Sequence, residues 1–358
     1  MTVRVGVIGV GMIGQDHIRR ITQVLTGGTV VAVNDVDQAR AEQVAAGLPD
    51  ATVHAGASDL IAASNVDAVL VASWGPAHEE QVVAAIGAGK PVFCEKPLAP
   101  ASDACLRIID AELAAGRRYV QVGFMRRYDA DYLAMKAALD DGRIGAPLLM
   151  HCAHRNPSAP PYGFTTEMIV SDSAVHEMDL VRWLFGAEIV AVSLLTPKRT
   201  SQAPEGVQDP LIILFELANG VLVDDEVFVN AGYGYDVRGE VVGESGTVAL
   251  ADAGGVTLST DGRRTAIPAA LVQATQAAQD SRPGDRVPAD WRERFSRAYD
   301  AELQDWLNAV AAGTFTGPSS WDGYAAAAVT DSALRALRTG ERIAVPLAER
   351  PDFYAKTQ

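Results

Sequence analysis

The chain has 358 residues, 48% of them hydrophobic and 21% charged. This length exceeds what one hydrophobic core usually organises, so we expect two domains. The formal net charge of −15 argues against nucleic acid or a membrane surface as a partner, because either would require a basic face. Three scattered cysteines exclude a disulfide framework and favour a reducing cytoplasm. The N-terminal residues show neither a basic leader nor an apolar span, so we expect no export or anchoring.

The chain begins with a strand, a glycine-rich turn and a helix. Val3 to Ile8 predicts a short buried strand, and a helical pattern runs from Ile13 to about Leu25. In the turn between them, the first glycine makes the tight bend, the second lets the backbone approach a pyrophosphate, and the third allows close helix packing. The pyrophosphate is expected at the helix N-terminus. The candidate cofactor contacts here are Gly9, Gly11, Met12, Ile13 and Gly14.

Asp35 follows a second predicted strand, from Thr29 to Asn34. It lies 21 positions after Gly14, close to the spacing at which an acidic side chain meets an adenosine ribose. A carboxylate there accepts bonds from both ribose hydroxyls and repels a 2′-phosphate. The position therefore favours NAD over NADP, the alternative being a loop carboxylate or a helix cap.

Helical and strand patterns alternate through the rest of this region. Helices are expected at about 38–48, 77–88 and 102–115, and strands at about 67–72, 91–94 and 119–122. Such alternation indicates parallel strands joined by right-handed crossovers, with ligands outside their carboxyl ends. The fold class is α/β, and residues 1–123 are predicted to form a doubly wound Rossmann domain that binds NAD.

Two groups of candidate residues follow strand ends in this domain. Ser73, Trp74 and His78 come after one strand, and the indole face can cover a nicotinamide ring. The alternatives are rim packing for Trp74 and a helix-start contact for His78. Glu95 and Lys96 come after the next strand, beside Pro97. There the lysine is well situated to hold a substrate oxygen by a charge-assisted hydrogen bond.

The pattern changes around Gly123. A helix near 129–139 and a strand near 148–154 precede a proline-rich loop, and further strands are expected at 189–195, 210–217, 221–229 and 236–242. Asn219-Gly220 is a two-residue hairpin signal. Helices are expected near 290–311 and in an alanine-rich stretch ending near 340. Residues 124–358 are therefore predicted to form an α+β domain for substrate binding and oligomerisation, with an open, mainly antiparallel sheet.

The central candidate element is one helix from Ser171 to Gly186. Asp172, His176 and Asp179 are spaced four and then three residues apart, which stacks them on one helix face. Outside this helix, His154 and Asn156 are candidate ligand contacts at a strand end, or loop caps. One of two nearby phenols, Tyr233 or Tyr235, can reach the substrate, and either can equally be a packing residue.

With these residues assembled, the chain resembles the NAD(P)-dependent sugar and polyol oxidoreductase family that includes glucose-fructose oxidoreductase, and within it the inositol dehydrogenases. The resemblance runs nearly end to end. The family's glycine turn matches Gly9, Gly11 and Gly14, its Glu-Lys-Pro motif matches residues 95–97, and runs typical of the inositol enzymes match residues 123–129, 151–157 and Asp172, His176 and Asp179. The last three matches are the more specific ones.

The resemblance implies oxidation of the axial C2 hydroxyl of myo-inositol with NAD, by an enzyme that is commonly tetrameric. His176 has the unperturbed pKa that suits a general base near pH 7. Asp172 would orient its imidazole, and Lys96 would bind the reacting oxygen. The remaining hydroxyls would be held by Arg127, His154, Asn156, Asp179 and Tyr235. No metal is required, because the six histidines lack the spacing of a metal site.

Three alternatives stay open. The loop at 158–164 departs slightly from the family pattern, so the substrate can be another inositol isomer, scyllo or chiro, or an aldose such as glucose. A non-catalytic NAD-sensing regulator would not need Lys96, Asp172 and His176 together. Family members that use NAD for glycoside cleavage form a third class.

Overall fold

The computed structural model describes residues 2–160, 163–251, 254–268, 287–315 and 317–355. Two compact units are present. The first contains residues 1–124, 299–327 and 348–358, and the second contains residues 125–298 and 328–347. The described residues 299–315, 317–327 and 348–355, which follow the boundary predicted after residue 123, thus belong to the first unit. Pro161 and Tyr162, within the proline-rich loop discussed above, lie outside the described residues.

The first unit contains a six-stranded parallel sheet in the order β3-β2-β1-β4-β5-β6. All strands except β3 match the prediction to within one residue. Their short apolar runs are typical of strands covered on both faces. The strands are β1 Val3–Ile8, β2 Gly28–Asn34, β3 Thr52–Val53, β4 Ala68–Val71, β5 Val92–Glu95 and β6 Val120–Gly123.

Helices connect these strands and cover the sheet. Val5 and Val7 of β1 share a buried core with Ile18 and Ile21 of the first helix and with Trp306 from the C-terminal part of the unit. The helices are α1 Met12–Gln23, α2 Gln38–Ala45, α3 Ala57–Ala62, α4 His78–Gly87 and α5 Ser102–Ala115. This packing holds the carboxyl ends of β1, β2, β4 and β5 at one sheet edge, where the candidate cofactor residues begin.

The second unit contains a nine-stranded sheet in the order β14-β13-β12-β11-β7-β10-β9-β8-β15. Its pairings are antiparallel except that β10 runs parallel to β7. The hairpin predicted at Asn219-Gly220 joins β9 to β10, but the predicted two-residue turn is a three-residue loop. The Leu217 N–H donates to the Val221 carbonyl at 3.0 Å, and Gly220, but not Asn219, has a positive φ, of 87°. The strands are β7 Pro147–Arg155, β8 Ile189–Leu195, β9 Leu211–Leu217, β10 Leu222–Phe228, β11 Asp236–Gly243, β12 Gly246–Leu250, β13 Val256–Thr260, β14 Arg263–Ile267 and β15 Ile343–Ala344.

Strands β12, β13 and β14 were not predicted from the sequence. Each has only five residues, and β14 is largely exposed. Their apolar pattern is weak because pairing with the neighbouring strand, rather than burial of a face, defines them. They extend the sheet beyond β11.

The predicted helix from Ser171 to Gly186 is wrong as a continuous α-helix. Ile169–Ser173 forms a π-helical turn, in which the Ala174 N–H donates to the Ile169 carbonyl at 3.0 Å. The α-helix begins only at Val175. Such π turns occur often at functional sites. The helices are α6 Ala130–Asp140, α7 Thr166–Met168, α8 Val175–Phe185, α9 Trp291–Ala312 and α10 Ser320–Thr339, of which the last two run through both units.

Candidate functional site

The glycine-rich turn of the first unit has the shape that a pyrophosphate needs. Gly9 has a φ of 88°, and a Cβ there would lie 2.4 Å from the Ser73 backbone nitrogen. A Cβ at Gly14 would lie 2.0 Å from the Gly9 carbonyl oxygen, whereas a Cβ at Gly11 would meet nothing within 4 Å. The turn is therefore closed toward the protein and open beside Gly11, the side from which a phosphate can approach the backbone.

Met12 and Ile13 follow Gly11 at the start of α1. Met12 is 62% exposed and Ile13 is half-buried. The N-cap residue Gly11 has no side chain that could cap this helix end, so its first N–H groups can serve an anionic ligand.

Asp35 lies directly after β2, and its carboxylate is buried and held by the backbone. Its two oxygens accept hydrogen bonds from the N–H groups of Val10 at 2.8 Å and Asp37 at 2.9 Å. Arg40 lies 3.7 Å away and also pairs with Asp37. A carboxylate has about four acceptor positions, so these two bonds leave capacity for ribose hydroxyls.

The residues after β4 divide between an exposed and a buried position. Trp74 is 80% exposed, so its indole ring is accessible to a ligand. His78 is buried, with Nδ1 2.8 Å from the Pro97 carbonyl and Nε2 3.0 Å from the Ser73 carbonyl. Burial lowers the pKa of His78 more than these bonds raise it. His78 therefore ties the loop after β4 to the loop after β5, and its cofactor contact stays a prediction.

Glu95 is the last residue of β5, and Lys96 follows it. The Glu95 carboxylate is buried, accepts the Lys96 backbone N–H at 3.1 Å and lies 2.7 Å from Nε2 of His17. His17 was not predicted from the sequence. The available signal was its position three residues after Gly14, on the buried face of α1.

In the second unit, His176 lies on a helix that is buried along most of its length. Every residue from Val175 to Arg182 is buried, and His176 itself is 7% exposed. Asp172 lies half-buried in the preceding π-helical turn. The ring centroids of His176 and His154 are 6.2 Å apart, so α8 and β7 bring two imidazoles together.

His154 lies in a buried polar cluster with Arg126, Glu177 and Tyr235. Arg126 pairs with Glu177, and His154 Nδ1 lies 3.2 Å from both the Arg126 guanidinium and the Glu177 carboxylate. The Tyr235 hydroxyl lies 3.3 Å from His154 Nε2. Arg126 and Glu177 were not predicted, although each adjoins a predicted residue in the sequence. Their role depends on which chain segments meet.

Arg127 and Asp179 form a second ion pair beside this cluster. The guanidinium donates to both carboxylate oxygens, with one distance of 2.8 Å. Asp179 is 1% exposed. The fork geometry fixes the carboxylate in one orientation. Both residues were predicted to hold substrate hydroxyls, and the structure joins them to each other.

The other predicted substrate contacts lie around the end of β7. Tyr235 is buried, whereas Tyr233 is 50% exposed and donates to Asp236 at 2.6 Å. Asn156 is half-buried and continues the pairing of β7 with a backbone bond to Phe228. Of the two phenols, Tyr235 is therefore the one that contacts His154.

The same sheet also buries a carboxylate on β10. Asp225 is fully buried, and within the described ranges neither of its oxygens has a hydrogen-bond partner. Burial raises the pKa of Asp225 to about 8, although Arg126 opposes the shift. At neutral pH this side chain is therefore mainly a neutral acid.

No group of three or more metal-ligating side chains was found in the part of the chain that the structure describes. In the same residues, no helix is both long and apolar enough to cross a bilayer.

A parallel sheet with a glycine-rich turn and an acidic residue after β2 is the arrangement of an NAD-binding Rossmann domain. Residues 3–124 match the family description "Oxidoreductase family, NAD-binding Rossmann fold", and residues 136–345 match "Oxidoreductase family, C-terminal alpha/beta domain". The chain belongs to this family, the GFO/IDH/MocA oxidoreductases. The predicted fold class and the expected NAD cofactor are confirmed.

Similar proteins cover the full chain. Inositol 2-dehydrogenase 3 of Saccharopolyspora erythraea is 52% identical over 99% of this chain and 98% of the relative. Inositol 2-dehydrogenase of Burkholderia multivorans is 48% identical over 99% of both chains. The crystal structure of myo-inositol dehydrogenase from Lactobacillus casei in complex with NAD(H) and myo-inositol has a TM-score of 0.88 and 36% identity, covering 99% of this chain and 100% of that one.

Proposed function

We propose that this protein oxidises myo-inositol at C2 to 2-keto-myo-inositol (scyllo-inosose), with NAD as the acceptor, as a step of inositol catabolism. The observation that supports this proposal most strongly is the 52% identity to an inositol 2-dehydrogenase over 99% of this chain. Lys96, Asp172 and His176 all lie within that matched length. Their chemistry is what removal of hydride and proton from a secondary alcohol requires.

Bound NAD would supply the acceptor for the hydride that leaves C2. Residues of this chain that would hold it are the backbone around Gly11, at the open side of the turn, and the Asp35 carboxylate at the end of β2. Trp74, exposed after β4, is proposed to cover the nicotinamide.

His176 is proposed to take the proton from the C2 hydroxyl. A positioned general base contributes about 10²–10⁴-fold in rate. Asp172, one turn earlier in the chain, is proposed to orient the imidazole and stabilise its protonated form. Burial of α8 supports this role, because it restricts the rotamers of His176.

Lys96 is proposed to bind the reacting oxygen and limit charge there. The other hydroxyls of a neutral polyol need a site rich in donors and acceptors. Arg127, Asp179, His154, Asn156 and Tyr235 are proposed to supply it. The ordered contacts of Arg127 with Asp179 and of Tyr235 with His154 support this assignment.

The deciding experiment is to identify the product from myo-inositol and NAD by NMR and mass spectrometry. Steady-state rates with the scyllo and chiro isomers and with glucose then rank the substrates. A clear preference for glucose would remove the inositol assignment. Absence of turnover on every alcohol despite tight NAD binding would favour a regulator. Release of free sugar from an aryl glycoside would reveal glycoside cleavage.

We further propose a homotetramer that works in the cytoplasm. The sheet face that carries Glu216 also carries apolar side chains, of which Leu195 is 52% and Leu222 45% exposed. Covering such a face is a common reason for subunit association. Light scattering coupled to size exclusion measures the subunit number, and a monomer at micromolar concentration would refute this proposal.

A further inference from the structure

A histidine on α1 contacts the carboxylate that precedes the candidate catalytic lysine. His17 is 0% exposed and Glu95 is 5% exposed. The distance of 2.7 Å between His17 Nε2 and Glu95 Oε1 is that of a charge-assisted hydrogen bond. The imidazole is enclosed by the rings of Phe93 and Tyr299, whose centroids lie 5.7 and 5.8 Å away.

The surroundings of His17 define which nitrogen carries its proton. Nε2 faces a carboxylate, which can only accept, so Nε2 is the donor. Nδ1 is buried and has no hydrogen-bond partner among the described residues. The contact with Glu95 therefore uses the Nε2–H group of His17 as the donor.

Glu95 connects His17 to the backbone of Lys96. Its second oxygen accepts the Lys96 N–H at 3.1 Å. A Cβ at Gly123 would lie 3.2 Å from the same carboxyl group, so the end of β6 packs closely against it. The Glu95 carboxylate is thus held by three contacts: with His17 of α1, with the end of β6, and with the backbone N–H of Lys96.

We propose that His17 is a positioning residue, which holds Lys96 in its productive geometry through the Glu95 carboxylate. Helix α1 starts at the glycine-rich turn, where the pyrophosphate is proposed to bind. In this scheme the same helix therefore also fixes the position of the Lys96 side chain, through His17. Glu95, predicted as a cofactor contact, has a positioning role in this scheme. The inference rests on the proposed role of Lys96 in alcohol oxidation.

Two amide substitutions test this scheme because they differ mainly in reach. In His17→Gln the amide nitrogen can occupy the position of Nε2 and donate to Glu95. The side chain in His17→Asn is too short for its amide nitrogen to reach that position. We expect His17→Asn to lose about 10–100-fold in kcat, the scale of a misplacement of about 1 Å. His17→Gln is expected to stay within about threefold of the parent, and both should bind NAD with a Kd within about twofold.

A double-mutant cycle tests whether the effect passes through Glu95. Glu95→Gln has one acceptor oxygen for two donors, so it should lose activity by itself. Adding His17→Asn to it should cost much less than His17→Asn costs in the parent, because residues acting through one contact are not additive. Additive losses would contradict the scheme.

Glu112→Gln controls for simple destabilisation of this unit. Glu112 is a fully buried carboxylate on α5 that accepts the N–H groups of Tyr119 and Val120. The Glu112→Gln variant should have a lower Tm than the parent and the same kcat. The inference is overturned if His17→Asn turns over like the parent, if His17→Gln loses as much as His17→Asn, or if Glu112→Gln loses as much kcat at an equal Tm loss.

The proposed function and this inference fail in different ways. The former fails if the parent protein makes no ketone from myo-inositol, in which case the same variants are compared on the alcohol that the parent does oxidise. The latter fails only when the parent turns over and the His17 variants do not behave as described.

Discussion

The two units hold their candidate functional groups by different means. In the first unit backbone N–H groups contribute to holding each of them: Asp35 accepts those of Val10 and Asp37, and Glu95 accepts that of Lys96 in addition to its contact with the His17 imidazole. In the second unit side chains hold each other, as in the pairing of Arg127 with Asp179. Backbone donors are present whatever the sequence, whereas an ion pair needs two side chains selected together.

This difference sets how each unit responds to mutation. Removing one partner of a buried ion pair typically costs about 3–5 kcal/mol, because the other charge stays buried. Arg126 and Glu177, at 1% exposure each, fall in that class. A carboxylate held by N–H groups can be replaced without leaving an opposite charge behind. The second unit should therefore be the more sensitive one to single polar substitutions.

The largest expected effect is that of His176→Ala in the second unit. Loss of the base should lower kcat at neutral pH by about 10²–10⁴-fold, while NAD binding, assigned to the first unit, is kept. NADH absorbance and an NAD titration measure the two quantities. His151→Ala is the matched control, since His151 is exposed and pairs with Asp224. An unchanged rate would reject the base assignment.

Lys96→Ala tests the corresponding group in the first unit. Losing the cation at the reacting oxygen should lower kcat by about 10²–10³-fold, with the circular dichroism spectrum unchanged. Lys90→Ala is the control, because Lys90 precedes the amino end of β5, at the other end of the strand from Lys96, and donates to the Ala63 carbonyl. Near-normal turnover of the Lys96 variant would remove this lysine from the mechanism.

Asp225→Asn tests how a buried carboxylate of the second unit affects the stability of the folded protein. Burial raises the pKa of Asp225 to about 8 in the folded protein, so the unfolded chain loses this proton first and the contribution of Asp225 to stability falls as pH rises from about 4 to 8. The neutral amide removes that penalty, and we expect a gain on the order of 2–4 kcal/mol at pH 7.

Thermal melts between pH 4 and 9 measure this gain, which should vanish toward pH 4. Asp224→Asn, at the half-buried neighbouring position on β10, should show no such gain. A variant of Asp225 that is less stable than the parent at pH 8 would mean that the ionised carboxylate is needed there.

The smallest expected effect is that of Asp35→Ser. Removing the carboxylate should relax discrimination against NADP by about tenfold or more, since one repulsive contact is worth roughly 1–2 kcal/mol. The ratio of kcat/KM values for the two cofactors measures it, with Asp59→Ser as an exposed control. An unaltered ratio would mean that another residue reads the ribose.

The sequence by itself determined the elements whose signals are local. The glycine turn, the alternation of strands and helices, and the Asn219-Gly220 hairpin follow from backbone conformation and apolar spacing, so they could be located to within a few residues. It did not determine that α8 starts after a π-helical turn, or that β12 to β14 extend the second sheet. Those features depend on pairing and packing with distant segments.

Only the tertiary structure decided which charges share a buried contact. His17 and Glu95 are 78 residues apart, and Arg126 and Glu177 are 51 apart, so no spacing rule joins them. The sequence named Lys96, His176 and Asp179 because their residue types fit the chemistry. The residues that hold such groups still need hydrogen-bond partners once buried, and folding alone determines which partners lie within reach.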